Sequence, residues 1–400
     1  MSVLQLAPPT HGPAALDLAV PQLSLLYDGL LTDTMTSICA RTGSMATDVR
    51  LDYLEYAPHA SLVLQVSADV DGRRRSVVLR TGAAVNSQVR ETGVCVPELN
   101  GVAHWLPSDP SLPLMRATSR ELHGLLPSSA APTSPGDRAE GPARVLAYVP
   151  SRRATLSLEP YVLKSYATSQ AFERARAAMD LLSDGRDLPT PRQVAALPEH
   201  RTTVQRHVEG TPASLSQAVT LAEHAGRLAR RLHDSERRST VRRDPAAQLR
   251  DARTAVEVLA AVLPDQAGRA RALLRRLAAA APTGLRLVLS HGDFTIDQLL
   301  LTDEGLVVTD VDNACQAPAA LDIASFAANL VSGRTGDDER AYAVLSGLMA
   351  GHGAPPALAW HFAVALLRRC DRPFRRWKKR WPEKACNILA MAEEVGAWCD

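Results

Sequence analysis

The chain has 400 residues, 46% of them hydrophobic, which is enough for two or three packed lobes and excludes a chain that is disordered overall. Its 45 Lys and Arg nearly balance 43 Asp and Glu, so the overall charge gives no reason to expect a nucleic-acid or membrane partner. The 6 cysteines show no CxxC pair, and no stretch has the pattern of a signal peptide or membrane span. We therefore expect a cytoplasmic protein with reduced thiols.

Two segments in the first half of the chain are similar. "LEYAPHASLVLQV" at 54–66 and "LAYVPSRRATLSL" at 146–158 both read Leu-x-Tyr-x-Pro followed by an alternating strand. A second strand-like run follows each and ends near a basic residue, Arg80 in "RSVVLRTG" and Lys164 in "PYVLKSYA". Chance similarity of two hairpins is the alternative, because Tyr and Val are common in strands. The matching order favours a duplicated β lobe with Arg80 at the position of Lys164.

The boundaries follow from composition. "LLPSSAAPTSPGDRAEGPA" has no periodic pattern and is rich in Pro, Ser and Gly, which predicts a linker at 126–143. We expect an accessory domain at 1–125, before this linker. A second β lobe is predicted at 144–207. It would contain the second copy of the repeated strands, the helical pattern that follows Lys164 and a further strand-like run. Residues 208–400 are predicted to form a mainly helical lobe, since Ala, Leu and Arg recur there at helical spacing.

An acidic hairpin is predicted inside the helical lobe, in "LSHGDFTIDQLLLTDEGLVVTDVD" at 289–312. If Leu301 pairs with Leu306 across the turn "TDEG", Gln298 and Asp310 become neighbours at the open end of the hairpin. A carboxylate and an amide oxygen are ligands suited to Mg²⁺, which takes few protein ligands and phosphate oxygens for the rest. Asp293 would then be free to accept the proton of a hydroxyl group or to orient it.

These motifs resemble a known family. "HGDFTIDQ" followed by "VVTDVDNACQAPAALDIASFAANL" is similar to the catalytic and metal-binding motifs of the aminoglycoside phosphotransferase family, within the protein-kinase-like superfamily. "GRLARRLHDS" resembles the family's helix before the catalytic loop. The resemblance extends from about Leu146 to the end of the chain. It implies an α+β, two-lobed protein-kinase-like fold, with a small antiparallel β lobe and a helical C-lobe, here preceded by the duplicated small lobe.

The resemblance also implies roles for individual residues. Asp293 would be the catalytic aspartate, Gln298 and Asp310 the Mg²⁺ ligands, and Lys164 the contact to the α- and β-phosphates of ATP or another nucleoside triphosphate. His291 would brace the catalytic loop. Supporting carboxylates would be Asp312 and Asp322, and the hinge that meets adenine would comprise Gln205, Arg206, His207 and Val208.

The chain departs from the family pattern at three places. Gln298 stands where the family usually has Asn. The glycine-containing phosphate loop is replaced by "PSRRA", in which Ser151, Arg152 and Arg153 would contact phosphates through side chains. The glutamate expected to pair with Lys164 is not evident, and Glu173 is the candidate, with the shorter Asp180 as the alternative. A non-catalytic kinase-like scaffold that binds a protein partner through residues 1–125 therefore stays an alternative.

The expected activity is transfer of phosphate from ATP, with Mg²⁺, to a hydroxyl of a small molecule such as an aminoglycoside-like natural product. The alternative acceptor is a Ser or Thr of a short precursor peptide, phosphorylated before elimination. The C-terminal "RRCDRPFRRWKKRWPEK" is basic with interleaved aromatics. It predicts an amphipathic helix with aromatics in the core and solvated basic residues, or alternatively a docking patch for an acidic substrate.

Overall fold

The computed structural model of the protein describes residues 17–27, 29–41, 43–127, 143–333 and 338–399. Most of the predicted linker 126–143 lies outside these residues. The architecture is α+β, with antiparallel sheets in the first half and helices in the second, as the sequence predicts. Within the described ranges, no helix has both the length and the apolar character needed to cross a membrane.

The first β lobe contains a five-stranded antiparallel sheet. Its elements are α1 (Leu30–Ala40), β1 (Ala46–Ala57), β2 (Ser61–Val70), β3 (Arg73–Thr81), α2 (Ser87–Thr92), β4 (Val94–Val96), β5 (Gly101–Trp105) and α3 (Ser119–Leu125). The strand order is β1, β2, β3, β5, β4. The strand β1 is therefore an edge strand of this sheet.

The second β lobe contains another five-stranded antiparallel sheet. Its elements are β6 (Arg144–Val149), β7 (Arg153–Leu158), β8 (Tyr161–Tyr166), α4 (Ser169–Leu182), β9 (Gln193–Leu197) and β10 (Thr202–Arg206). The strand order is β6, β7, β8, β10, β9, which repeats the order of the first sheet. In both lobes a helix joins the third strand to the fourth, α2 in the first and α4 in the second.

The two sheets also share their register. In the first sheet Val63 lies opposite Arg80, and in the second Thr155 lies opposite Lys164. Val63 and Thr155 are at the same distance from the Leu-x-Tyr-x-Pro motif in their copies. The prediction that Arg80 occupies the position of Lys164 in a duplicated lobe is confirmed.

Two turns repeat at the level of backbone angles. His59 and Ser151, which follow the motif proline in each copy, both have positive φ, 60° and 55°. Asn100 and Arg201, which precede the fifth strand of each lobe, have φ/ψ of 44°/47° and 46°/47°. A non-glycine residue rarely adopts this left-handed conformation. Its recurrence at matched positions is further support for duplication.

The helical lobe contains the acidic hairpin between groups of helices. Its elements are β11 (Thr211–Pro212), α5 (Ala218–His233), α6 (Pro245–Val262), α7 (Pro264–Ala279), β12 (Leu287–Ser290), β13 (Leu299–Thr302), β14 (Gly305–Val308), β15 (Cys315–Pro318), α8 (Ala320–Gly333), α9 (Asp338–His352), α10 (Leu358–Leu367), α11 (Arg372–Arg375) and α12 (Trp381–Gly396). The amphipathic α5 packs on α9, and α10 packs between α8 and α12.

The first β lobe packs against the helical lobe through apolar side chains. Tyr56 of β1 contacts Phe374 of α11 edge to face, with ring centroids 6.1 Å apart. Val258 and Val262 of α6 and Trp381 of α12 belong to the same buried cluster. The aromatics of the basic C-terminal segment are therefore core residues, as one interpretation of the sequence predicted. Phe374 and Trp381 form part of the buried contact between the helical lobe and the first β lobe.

The segment before the predicted linker packs with the second lobe. Leu112, Met115 and Leu122 are buried against Leu156 and Leu163 of the second sheet. This packing crosses the predicted division, which placed all of residues 1–125 in the accessory domain and stays a prediction. The physical reason is that the inner face of the second sheet needs apolar cover, and this segment supplies it. The boundary between 207 and 208 stays a prediction.

Arg80 is fully buried and neutralised inside the molecule. Its Nη2 donates to Asp109 at 2.8 Å, and its Nε donates to the Oγ of Ser151 at 2.9 Å. Nη1 lies 3.2 Å from Nδ1 of His104. Burial lowers the pKa of His104 to about 4, and the charge of Arg80 adds to this effect, so this histidine is neutral near pH 7. In the first lobe the basic residue is thus structural.

We expect Arg80→Met to lower the free energy of unfolding by about 3–5 kcal/mol, because Asp109 would stay buried without its charged partner. Arg73→Met is the matched control at the exposed start of the same strand, and it should have little effect. Urea denaturation of both variants and the parent measures the difference. Equal, small effects of the two substitutions would contradict the structural role of Arg80.

Candidate active site

The acidic hairpin has the predicted register. Leu301 pairs with Leu306 and Leu299 pairs with Val308. Beyond the paired strands, the backbone N–H of Thr309 donates to the carbonyl of Gln298 at 2.8 Å. These bonds fix the open end of the hairpin, where the chain continues to Asp310 and Asp312 and faces the second β lobe.

Asp310 forms an ion pair with two basic residues of the second sheet. Its Oδ1 accepts from Nζ of Lys164 at 2.9 Å, and both carboxylate oxygens accept from the Arg153 guanidinium, at 2.8 and 3.0 Å. Asp310 has positive φ, 61°, which turns the chain sharply after β14. Burial alone would raise the pKa of Asp310, but Lys164 and Arg153 hold it below its ordinary value. The carboxylate is ionised.

Asp312 completes this ion cluster. Its Oδ1 accepts from Nζ of Lys164 at 3.1 Å and its Oδ2 accepts from the hydroxyl of Tyr166 at 2.8 Å. Lys164 is only 7% exposed. Burial would lower the pKa of Lys164, but the charges of Asp312 and Asp310 raise it. Lys164 is therefore a buried ammonium group held between two carboxylates, and Tyr166 is a contact that the sequence did not indicate.

The proposed partner of Lys164 on the following helix is wrong. The carboxylate of Glu173 on α4 is exposed and pairs with Arg176 of the same helix at 2.8 Å. Asp180 also pairs with Arg176, at 3.0 Å. Helical spacing explains both contacts, since residues three and four apart lie on one face. Lys164 has its carboxylate partners in the helical lobe instead.

Gln298 directs its side chain back to its own loop. Its Oε1 accepts from the backbone N–H of Thr295 at 3.0 Å, as part of a capping box. In the described part of the chain, no three His, Cys, Asp or Glu side chains form a metal-binding group. The hard oxygen donors at the hairpin end are the carboxylates of Asp310 and Asp312, which both reach Lys164. This donor set fits Mg²⁺, whereas Gln298 would have to release Thr295 to take part.

The loop that carries Asp293 is braced by a buried carboxylate. Asp322 at the start of α8 accepts from the backbone N–H groups of His291 at 2.7 Å and Gly292 at 2.9 Å. Nε2 of His233 lies 3.1 Å from the same carboxylate. Burial would raise the pKa of Asp322, but the hydrogen bond and charge of His233 and the charge of His291 hold it below its ordinary value.

His291 and Gly292 fix the loop from its other side. Nε2 of His291 lies 3.1 Å from the carbonyl oxygen of Thr309, which ties the loop to the hairpin. Gly292 has φ of 84°, and a Cβ there would lie 2.2 Å from the carbonyl oxygen of Asn313. Only glycine fits this position without displacing the backbone. The brace and the glycine together set the direction of the Asp293 side chain.

Asp293 is half-buried and faces arginines of the C-terminal segment. Its Oδ1 lies 3.4 Å from Nη2 of Arg368 and 3.8 Å from Nη2 of Arg369. Burial would raise the pKa of Asp293, but Arg368, Arg369 and Arg372 hold it below its ordinary value. The carboxylate is therefore ionised near pH 7. The sequence did not indicate this contact, because 75 positions separate Asp293 from Arg368.

A cavity of about 840 Å³ opens beside Asp293. Ten arginines and four aspartates line it, and Asp52, Tyr53 and Leu54 of the edge strand β1 form part of its wall. Arg243 lies at its inner side and donates to the carbonyl of Gly292 at 2.5 Å. The basic residues of the C-terminal segment were expected to be solvated, but several line this cavity instead.

The residues at the turn between β6 and β7 contact two different parts of the molecule, the first β lobe and the ion cluster. The N–H of Ser151 donates to Asp109 at 3.1 Å and its Oγ accepts from Arg80, so Ser151 faces the first lobe. Arg152 pairs with Glu55 of β1. Of the three residues predicted to contact phosphate here, only Arg153 reaches the ion cluster. The structure directs Ser151 and Arg152 to the first lobe because charged partners lie there.

The predicted hinge follows β10. Gln205 is 9% exposed, and Arg206 is exposed with its guanidinium 5.7 Å from the ring centroid of Tyr161. The backbone N–H of His207 donates to the carbonyl of Pro160 at 2.9 Å. That N–H is therefore engaged within the lobe, and the half-buried Val208 is the next residue toward β11. The adenine contact of this segment stays a prediction.

Comparison with known proteins agrees with this geometry. The model of the phosphotransferase enzyme family (APH) matches residues 150–361. The chain belongs to this phosphotransferase family. The matched segment of the phosphotransferase contains Lys164, Asp293 and Asp310, and it begins after the whole of the first β lobe. A search of curated proteins returned no match.

Several solved structures are similar in part. A choline/ethanolamine kinase family protein from Mesorhizobium loti is 18% identical, with a TM-score of 0.47, over 69% of this phosphotransferase and 93% of that chain. Choline kinase LicA from Streptococcus pneumoniae is 12% identical, with a TM-score of 0.47, over 63% and 92%. An aminoglycoside phosphotransferase from Streptomyces rimosus is 21% identical, with a TM-score of 0.43, over 57% and 91%.

We expect Asp322→Asn to lower the free energy of unfolding by about 3 kcal/mol, because an amide would turn an N–H group toward the loop N–H groups that now donate to the carboxylate. Asp303→Asn, on the exposed turn of the hairpin, is the matched control and should be neutral. Urea denaturation at pH 7 compares the two.

The same pair of variants has an expected pH dependence. The folded pKa of Asp322 is depressed, so its contribution is present above the ordinary value of 3.8 and is lost as the pH falls through the folded pKa. The difference between the parent and Asp322→Asn should therefore shrink on acidification. A difference that is constant from pH 7 to the acid limit would show that the charge of Asp322 is not the stabilising feature.

Proposed function

We propose that this phosphotransferase moves the terminal phosphoryl group of ATP to an acceptor hydroxyl in a reaction that requires Mg²⁺. The observation that carries the proposal is the convergence of Lys164, Asp310 and Asp312 between the second β lobe and the helical lobe, with Asp293 on the adjoining braced loop. The second sheet, the end of the hairpin and the loop after β12 supply these four side chains, so their convergence is a property of the fold. The match to the phosphotransferase family supports the same reaction class.

Lys164 and Arg153 are the proposed phosphate contacts. Both are cations that form ion pairs with the carboxylate of Asp310. Nucleotide phosphates bring further negative charge to this position and would share these two cations with the carboxylates. The Mg²⁺ ligands would be Asp310 and, after release from Thr295, Gln298, with Asp312 beside them. The ion would supply neutralisation of phosphate charge.

Asp293 is the proposed residue at the acceptor hydroxyl. Its ionised carboxylate can accept a hydrogen bond from the hydroxyl and orient its oxygen for in-line attack. The arginine neighbours keep the carboxylate charged. The hydrogen bonds from His291 and Gly292 to Asp322 hold the loop in place, so the carboxylate needs no rearrangement to meet an acceptor.

The acceptor follows from the family and the charge of the cavity. A small-molecule hydroxyl is the acceptor that the family suggests. A cationic amino sugar would meet ten arginines in the cavity, which disfavours an aminoglycoside by like-charge repulsion. That observation favours an anionic acceptor, and it supports the second candidate, a Ser or Thr of a short precursor peptide. A scaffold that lacks catalysis is the third candidate, and detection of phosphate transfer in the assay below would exclude it.

Substitutions of the two aspartates should separate binding from transfer. Asp310→Ala should abolish Mg²⁺-dependent nucleotide binding, because the carboxylate that would bind Mg²⁺ is lost. Asp293→Asn should leave nucleotide binding nearly intact and lower kcat by roughly 10²–10⁴-fold. Thermal shift with ATP and Mg²⁺ reports binding, and transfer of labelled phosphate or ATP hydrolysis reports kcat.

The control is Asp303→Asn on the exposed hairpin turn, which should match the parent in both assays. Mg²⁺-dependent binding by Asp310→Ala equal to that of the parent would refute the metal assignment. Transfer by Asp293→Asn at the parental rate would refute the assignment of the acceptor site. Removal of Mg²⁺ with EDTA should abolish the nucleotide-dependent thermal shift of the parent.

A further inference from the structure

The cavity beside Asp293 carries an excess of positive charge that phosphate transfer from ATP does not require. Ten arginines face four aspartates in it. Five of these arginines make no ion pair with any described residue, while the others pair with Glu55 or with aspartates. A concave surface of one charge sign concentrates ligands of the opposite sign. The unpaired arginines are Arg174, Arg242, Arg250, Arg372 and Arg376.

Arg372 shows the imbalance most clearly. Its Nη1 is inaccessible to solvent and has no hydrogen-bond partner among the described residues. A charged donor buried without an acceptor is costly, so an acceptor from a ligand would stabilise it. Arg368 and Arg369 already share the carboxylate of Asp293, and Arg372 acts on that carboxylate only as a nearby charge. Burial, followed by the charges of neighbouring arginines, lowers the pKa of Arg369.

The distribution of the arginines indicates the shape of the ligand. Arg174 lies on α4, Arg250 on α6 and Arg372 on α11, so the unpaired charges surround an open cleft of about 840 Å³. A compact ligand with one anionic group would occupy one part of this cleft. An extended ligand with several anionic groups would reach arginines on different elements.

The wall formed by the first β lobe favours a peptide among such ligands. Asp52, Tyr53 and Leu54 belong to β1, which is the edge strand of the first sheet. The pairing of β1 with β2 is irregular between Leu51 and Tyr53. An edge strand offers backbone N–H and C=O groups that an extended peptide can bind, while side-chain charges give specificity.

We propose that the acceptor is an acidic peptide segment, held in the arginine-lined cleft between β1 and the helical lobe, with a Ser or Thr hydroxyl at Asp293. The duplicated lobe thereby serves acceptor recognition. The transfer step rests on the proposed function. In it the hydroxyl oxygen forms a bond to the γ-phosphorus, the bond to the β-phosphate oxygen breaks, ADP leaves, and Asp293 takes the hydroxyl proton.

Direct binding tests the peptide without requiring transfer. The probe is a fluorescein-labelled peptide of Glu and Gly residues around one Ser, and its matched control has Gln in place of every Glu. Fluorescence anisotropy with the full chain should show at least about tenfold tighter binding of the acidic peptide, equivalent to about 1.4 kcal/mol. Raising the salt concentration from 50 to 500 mM should weaken this binding by roughly tenfold, because the charges are partly exposed.

Substitution of two exposed arginines of the cleft tests whether the peptide binds there. Arg250→Gln and Arg376→Gln should each weaken binding of the acidic peptide by about threefold or more, with nucleotide binding unchanged. Arg227→Gln is the matched control, an exposed arginine on α5 that pairs with Glu223 and lies outside the cleft. Equal effects of Arg227→Gln and the cleft variants would overturn the assignment of the site.

The acceptor assay uses the same peptides with ATP and Mg²⁺. Phosphate on the Ser of the acidic peptide, absent when that Ser is Ala, is the expected result. Equal binding of the Glu and Gln peptides would overturn the proposal. Binding and phosphorylation of glucose 6-phosphate in preference to the peptide would assign the cleft to small polyanions instead. Loss of the ATP-dependent thermal shift and of all transfer, with peptide binding intact, would refute the proposed function alone.

Discussion

The ion cluster of Lys164, Asp310 and Asp312 is the contact on which the proposed active site depends. It joins a lysine at the centre of the second sheet to carboxylates at the open end of the hairpin, and Arg153 adds a second cation. Each of these charges would be costly to bury alone, so the cluster favours the arrangement in which the sheet and the hairpin face one another. The same cluster sets the position at which nucleotide phosphate would enter.

Much of this arrangement was predictable from local patterns. The period of two in the hairpin, with its tight turn, gave the correct partners for Leu299 and Leu301. The repeated Leu-x-Tyr-x-Pro motif placed Arg80 at the position in the first sheet that Lys164 has in the second. These predictions concern residues close in sequence or copies of one motif. Strand pairing within one hairpin and the repetition of one motif determine them, so they need no knowledge of how distant segments pack.

The parts that the sequence did not predict depend on contacts between distant segments. Glu173 was a reasonable partner for Lys164, but its position on α4 pairs it with Arg176 of the same helix. Arg368 and Arg369 were visible as part of a basic stretch, yet only the packing of α10 and α11 brings them to Asp293. The hydrogen bonds of Ser151 with Arg80 and Asp109 form only because the β6–β7 turn of the second lobe packs against the first lobe. No periodicity carries such information.

The burial of Val258, Val262, Phe374 and Trp381 against the first β lobe has a practical consequence for work with shortened chains. A chain that lacks residues 1–125 would expose these four side chains together on the outer face of α6, α11 and α12. It would also lose Leu112, Met115 and Leu122 from beneath the second sheet. Such a fragment would be prone to aggregate during expression, so recombinant preparations should retain the first lobe.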